Sequence, residues 1–251
     1  MIGLGAASGI YAGLTWKRLK RGRLLWVCAV LLALPVVGAG GLVAAGHWGR
    51  GLFDEVLELY FRFLVPFVPA LLASPVIAEE IENKTYTFVF ARPAPRSALV
   101  LGKFVAVVLP AAAATVISIA LVWLLAMIRF PGDMGDNLGH LAQAEAAAVL
   151  GTFAFAALAS ALGSLFTRHP FAAVVGYLLL IEAGLGSAPI VLNLLSMSWH
   201  LRNLAELPLA EVSFMALHVP AWISATIVLA VSGACLGGAA MAVSGSEYNG
   251  R

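Results

Sequence analysis

Charge is what this sequence is short of. Only 11% of its 251 residues are Asp, Glu, Lys or Arg, against roughly 25% in a soluble domain. The net charge is +2, too small for nucleic-acid binding as a main activity. Cysteine occurs twice, as Cys28 and Cys235, each inside an apolar run. A disulfide framework is thereby excluded, and both read as small apolar residues. The phosphate-binding pattern G-x-x-x-x-G-K-[ST] is missing, because Gly102–Lys103 has neither the earlier glycine nor a following hydroxyl. No Ser/His/Asp arrangement, metal-protease motif or pair of carboxylates at one face marks hydrolytic chemistry. Period-2 alternation is absent as well, which excludes a membrane β-barrel.

What the chain does have is long apolar runs; 61% of it is hydrophobic. Crossing a bilayer as a helix takes about 20 apolar residues. Six runs qualify, over 24–46, 59–78, 104–128, 142–166, 170–192 and 220–244. Backbone polar groups in lipid are satisfied only within helices or closed barrels. The expected fold is therefore all-α, a polytopic bundle of six transmembrane helices over 24–251, preceded by a segment at 1–23. The first run follows the basic stretch "TWKRLKRGR" and exceeds twenty residues, longer than the 7–15 residues of a signal-peptide core. It reads as an anchor.

Orientation follows the Lys/Arg bias of short loops. With the amino terminus inside, one face receives eleven basic residues, among them Lys17, Arg18, Lys20, Arg21, Arg23, Lys84 and Arg92. The other receives four: Arg50, Arg62, Arg129 and Arg202. Both termini are expected in the cytoplasm, the chain lying in the cell (inner) membrane among its lipids. Residues 1–16 are apolar, Gly-rich and too short to span. Tyr11 and Trp16 beside the basic run suit a segment lying at the inner interface; a frayed terminus is the other reading.

The loop between spans two and three is the longest internal one. It opens with Glu79, Glu80 and Glu82, and Ile81, Thr85 and Phe88 follow at spacings of four and three, which places one semi-apolar face on a short helix. Pro93 and Pro95 then break it, with Pro95 suited to the first turn of the next helix. A short two-faced helix held between two spans is a mechanical part. It can dock on a cytosolic partner and pass on that partner's movement. An ordinary solvated loop is the alternative.

Span two carries Pro66, Pro69 and Pro75, each removing a backbone donor. Glu182 is an ionisable group inside span five, which suggests either a cavity-facing role or a structural bond to Ser187 or another span. Pro66, Pro69 and Glu182 are the candidates for lining a pathway. Small residues recur as Thr152, Ala156, Ser160 and Ser164 on span four and as Gly233 and Gly237 on span six, a pattern that lets helix backbones approach. His47, His140, His200 and His218 are expected outside, but their separation supplies no ligand spacing. No metal site is assigned.

Acidic residues, a Thr-containing helix, "RPAPRS" and "LVLGKF" in that order resemble the loop before span three in permeases of the type-2 ATP-binding-cassette family. Glu79, Glu80, Thr85, Pro93, Arg96, Leu101, Gly102, Lys103 and Phe104 carry the match. Asn83–Lys84 departs from it, standing where many members have glycine. "SMSWHLRNLAEL" before span six is similar to a His-Leu-x-Asn-Leu segment of the same family, with His200 orienting it. The resemblance implies a permease subunit of an exporter, pairing with a second copy of itself. It also implies a cytosolic ATP-binding-cassette ATPase subunit as partner, docked through Glu79, Glu80, Ile81, Thr85, Phe88, Pro93, Arg96 and Lys103. ATP would then sit on that partner, with no cofactor on this chain. An ATP-independent integral membrane enzyme or assembly factor is the rival function.

Overall fold

Residues 3–82, 96–186, 191–207 and 219–245 are described by the computed structural model, and these residues are all-helical apart from turns. Helix α1 (Leu4–Arg21) leads through Gly22, in extended conformation, into α2 (Arg23–Ala44). Next come α3 (Arg50–Leu59), a π-helical stretch at Tyr60–Leu64, and α4 (Val65–Glu82). Helix α5 (Arg96–Met127) and α6 (Met134–Leu165) follow, then α7 (Pro170–Tyr177) with a π-helical continuation over Leu178–Leu185. A 3-10 turn at Val191–Leu195 leads to α8 (Met197–Leu204), and α9 (Ala221–Gly245) ends the described chain.

Five helical stretches are long and apolar enough to cross a membrane: α2, α3–α4, α5, α6 and α9. Expected span five, 170–192, is not among them, and its residues 187–190 lie outside the described ones. Its helix covers Pro170–Leu185, about 24 Å at 1.5 Å per residue, short of the roughly 30 Å hydrocarbon core. The helix closes where the Gly186 amide bonds the Ile181 carbonyl.

Two expected outer loops, 47–58 and 129–141, are largely helix instead. Asp54, Glu55 and Glu58 ended the apolar count, yet they share α3 with Leu52, Phe53, Val56 and Leu57, which are buried. The helix is amphipathic and its charges pair: Arg50 with Asp54 at 3.6 Å and Arg62 with Glu58 at 3.9 Å. In the other loop, Pro131–Asp133 forms one 3-10 turn and α6 begins at Met134.

Helices α4 and α6 make the centre. A Cβ on Gly163 would stand 2.6 Å from the Ser74 carbonyl oxygen, and one on Gly151 2.5 Å from a Val65 methyl; only glycine permits backbones this close. Thr152, Ala156 and Ser160 are buried, so the span-four stripe serves packing within the chain. In the α3–α4 and α6 spans 67% of the apolar window is buried, against 22% in α2 and in α9. The first and last spans therefore flank the bundle. Trp26, Val30, Leu34 and Val37 of α2, and Trp222, Leu229 and Met241 of α9, are exposed. Gly233 and Gly237 likewise have open space where a Cβ would be.

Candidate functional site

The segment with the densest expectations joins α4 to α5. Thr85, Phe88 and Pro93 lie outside the described residues. Glu79, Glu80 and Ile81 belong to α4, which runs unbroken to Glu82; the rest of the expected short helix lies outside the described residues. Between Pro75 and Glu82 stands no glycine or proline, and glutamate is a good helix former, so the span continues past its apolar part. Arg96 opens α5, as the position of Pro95 suggests.

Lys103 is not on a surface. It is 4% exposed, and its Nζ donates to the Val76 carbonyl oxygen at 2.5 Å. The bond crosses from the second turn of α5 to the last turns of α4 and ties the two stems of the joining segment together. Next to it, Gly102 allows α1 onto α5, since a Cβ there would be 2.4 Å from the Ser8 carbonyl oxygen and 2.7 Å from Tyr11 Cβ.

Deeper in the bundle lies a polar contact that hydropathy counting missed. Ser118 Oγ of α5 donates to the Leu32 carbonyl of α2 at 2.5 Å, leaving the Tyr60 hydroxyl to donate to Ser118 Oγ. Pro35 lies inside α2, three residues after Leu32, and a proline in mid-helix crowds the carbonyls of the preceding turn. Tyr60, fully buried, begins the π-helical stretch. Single-turn π elements recur at functional sites.

At the opposite end, four side-chain clusters hold the short helix α8 and the start of the spans. Glu182 is buried, with its two oxygens accepting from Tyr177 Oη at 2.9 Å, Ser196 Oγ at 2.6 Å, the Met197 amide at 3.1 Å and the Ser198 amide at 2.9 Å. Ser196 is the N-cap of α8, its Oγ also accepting from the Trp199 amide at 3.2 Å. A carboxylate on the first amides of a helix is favoured by the orphan donors and by the helix dipole. Gly186 makes the approach possible, since a Cβ there would lie 2.6 Å from Ser196 Oγ. The partner of Glu182 is thus Ser196 and the α8 amides; Ser187 lies outside the described residues. Pro66 and Pro69 are also covered within the bundle.

His200, in α8 and outside the spans, bonds the Leu194 carbonyl through Nε2 at 3.0 Å and Ser224 Oγ of α9 through Nδ1 at 3.0 Å. A carbonyl only accepts, so Nε2 carries the proton and Nδ1 accepts from the serine; the imidazole is neutral. Burial pushes its pKa down, opposed by the Leu194 carbonyl and by Glu182. Asn203 Nδ2 donates to Ser224 Oγ at 2.9 Å and to the Val219 carbonyl at 2.8 Å. Arg202 donates to Glu58 at 3.1 Å, and His140 Nε2 donates to Asp54 at 2.7 Å. The His-Leu-x-Asn-Leu segment therefore fastens α8 to α9 and α3, as expected of His200. Among the described residues, no three His, Cys, Asp or Glu side chains converge as a metal site.

The described residues form a helical bundle with five stretches long and apolar enough to cross a membrane. Residues 15–184 match the model of the ABC-2 family transporter protein. No curated protein matches. The matched segment takes in α2 through Glu182 and covers more than half of the sequence, and the chain belongs to the ABC-2 family of transporter proteins, as a multi-pass membrane component.

Proposed function

We propose that this chain is the permease subunit of an ATP-binding-cassette exporter, driven by ATP hydrolysis on a separate cytosolic ATPase subunit. The joining segment between α4 and α5 is the docking element, with Glu79, Glu80, Ile81, Thr85, Phe88 and Pro93 toward the partner and Arg96 at its return. Both termini face the cytoplasm of the inner membrane, and two copies form the transporter. ATP stays on the partner.

One observation carries this reading: the Lys103–Val76 bond. The docking element begins on α4 and ends on α5, so a force on it reaches both helices, and the bond makes them respond together. Helix α4 is the central helix, packed on α6 through Ser74 and Gly163. It also contains Pro69 and Pro75, each of which removes an intrahelical bond and leaves a bend point. A push on the stems is thus delivered to the one helix whose movement alters the whole bundle.

The substrate pathway runs between the two copies, and opening it parts helices that are closed on one another in this conformation. Pro66, Pro69 and Glu182 are covered by the chain's own atoms, so they reach a substrate only in the open state.

Co-purification with the ATPase expressed alongside tests the docking. Glu80→Ala and Phe88→Ala are each expected to lower ATPase recovery while membrane insertion stays at the wild-type level. Unchanged recovery for both variants sinks the assignment.

A further inference from the structure

Helices α6 and α7 meet at a tight corner over residues 167–169, and local chemistry builds it. Helix α6 ends at Leu165, where the Phe166 amide bonds the Leu162 carbonyl. His169 precedes a proline and leaves the helical region, at φ −138° and ψ 59°. Pro170 then suits the first turn of α7. The corner shapes a groove of about 680 Å³. Thr167, Arg168 and His169 give it a polar rim, and Leu165, Tyr177 and Leu180 an apolar wall. Gly176 lines it too, and a Cβ there would meet nothing within 4 Å.

The rim carries charge of one sign. Arg168 is exposed, and among the described residues its guanidinium has neither an ion pair nor a hydrogen-bond partner. Between Glu145 and Glu182 it is the one Asp, Glu, Lys or Arg in the sequence. A guanidinium fork matches phosphate oxygens two at a time, and the His169 ring and the Thr167 hydroxyl add donors. The wall is of the opposite character. Leu165, 67% exposed, closes a membrane-crossing stretch, and Leu180 is 72% exposed. The Tyr177 hydroxyl is committed to Glu182, so Tyr177 contributes ring surface. The volume lies within the roughly 300–1,000 Å³ of small-molecule sites, room for a headgroup and the first carbons of its chains.

The position of the corner agrees with this chemistry. Val65 packs on Gly151 and Ser74 on Gly163, so α4 and α6 run in the same direction. The corner after Leu165 therefore lies at the end of the bundle where Lys103 meets Val76 and α1 is seated. That end also carries Lys17, Lys20 and Arg21 of α1, a positive surface that disfavours a cationic occupant.

We infer that the groove between α6 and α7 binds an anionic phospholipid. Its phosphate lies at Arg168 and His169, and an acyl chain runs over Leu165, Tyr177 and Leu180. Binding does not depend on the docking assignment, and it is measured with no ATPase present.

The test places the full chain in phosphatidylcholine nanodiscs containing a trace of phosphatidylglycerol with a photoreactive acyl chain, and adducts are mapped by mass spectrometry. Wild type is expected to be labelled within 165–180, and excess unlabelled phosphatidylglycerol competes the label away. Photoreactive phosphatidylcholine labels the segment about tenfold less. Arg168→Gln lowers labelling about tenfold, the scale of one charge-assisted contact, and Arg168→Lys recovers part of it. Gly176→Leu fills the groove without touching its charge and lowers labelling as well. The double variant Lys17→Gln, Lys20→Gln stays near the wild-type level, because neither residue lines the groove. Thermal unfolding in pure phosphatidylcholine checks that each variant folds; should Gly176→Leu fail, Arg168→Gln at the exposed rim decides. Wild-type labelling in Arg168→Gln overturns the inference; if that variant instead lowers the dimer fraction by light scattering, the groove belongs to a second copy. Equal labelling by the two lipids overturns it as an ordinary boundary contact. So does equal loss in the Lys17/Lys20 variant, which would indicate diffuse surface charge. Displacement by millimolar inorganic phosphate also overturns it, identifying a free-anion site instead.

Discussion

Lys103 of α5 and Val76 of α4 are 27 positions apart in sequence and 2.5 Å apart in space, ammonium to carbonyl. Between them in the chain lies the whole segment that the family resemblance assigns to ATPase docking. A hydrogen bond to a charged group contributes about 1.5–3 kcal/mol. Its loss falls first on the end of α4 beyond Val76. In Lys103→Met, amide hydrogen exchange at 77–82 is expected to accelerate about tenfold, the kinetic equivalent of about 1.4 kcal/mol. Exchange across α6 should not change.

The Glu182 carboxylate should behave as a helix cap. Glu182→Gln keeps shape and part of the hydrogen bonding but gives up the interaction of a charge with the helix end, about 0.3–1 kcal/mol. Glu182→Ala leaves Ser196 and two amides without their acceptor, and is expected to lose roughly 3 kcal/mol or more. Thermal unfolding in detergent measures the difference. Limited proteolysis should show cleavage near 191–207 rising in the alanine variant alone.

Acid should loosen the same region through His200. Its pKa is lowered from the ordinary 6.5 by burial, so the unfolded chain takes up a proton at a pH where the folded chain does not. Stability from this group is complete above about pH 6.5 and falls as pH drops below it. Melting temperature measured from pH 8 to pH 5 should decline on the acid side in wild type, and less in His200→Gln. Equal slopes in the two proteins would remove His200 from the account.

Glycines at close contacts and glycines in the open make opposite predictions. Gly186→Ala drives a methyl to 2.6 Å from Ser196 Oγ and 2.4 Å from the Glu182 carbonyl, and overpacking of this kind costs about 1–3 kcal/mol. Gly233→Ala and Gly237→Ala meet nothing within 4 Å among the described residues, so the melting temperature of the isolated subunit should hold. If α9 contributes to the pairing of two copies, these two changes lower the dimer fraction in detergent by light scattering. Loss of subunit stability in either would contradict the exposed placement.

The spans were legible wherever one physical signal sufficed. Helices α2 and α9 read directly, because each is apolar all round and ends within two residues of its apolar run. The boundaries of α3 and α6 were not, since Asp54, Glu58 and Asp136 stop a hydropathy count even when the backbone stays helical. Glu182 announced itself as a carboxylate in an apolar run, but its acceptor bonds go to backbone amides of a helix that begins fifteen residues later. No local pattern encodes such a pairing. Lys103 is the sharpest case: sequence resemblance grouped it with the ATPase-coupling residues, and only the fold shows it buried, with Gly102 beside it seating α1 on α5.

The order of the spans has a consequence for biogenesis. Helix α2 leaves the insertion machinery first, with no neighbour to cover it, and its high mean hydropathy lets it rest in lipid alone. The central spans α3–α4 and α6 have lower mean hydropathy and depend on each other's surfaces. The former must wait, incompletely sheltered, until α6 has been synthesised, 83 residues after α4 ends at Glu82 (165 − 82). Quality-control proteases and membrane chaperones would find this subunit most vulnerable in that interval, and a ribosome pause there would prolong it.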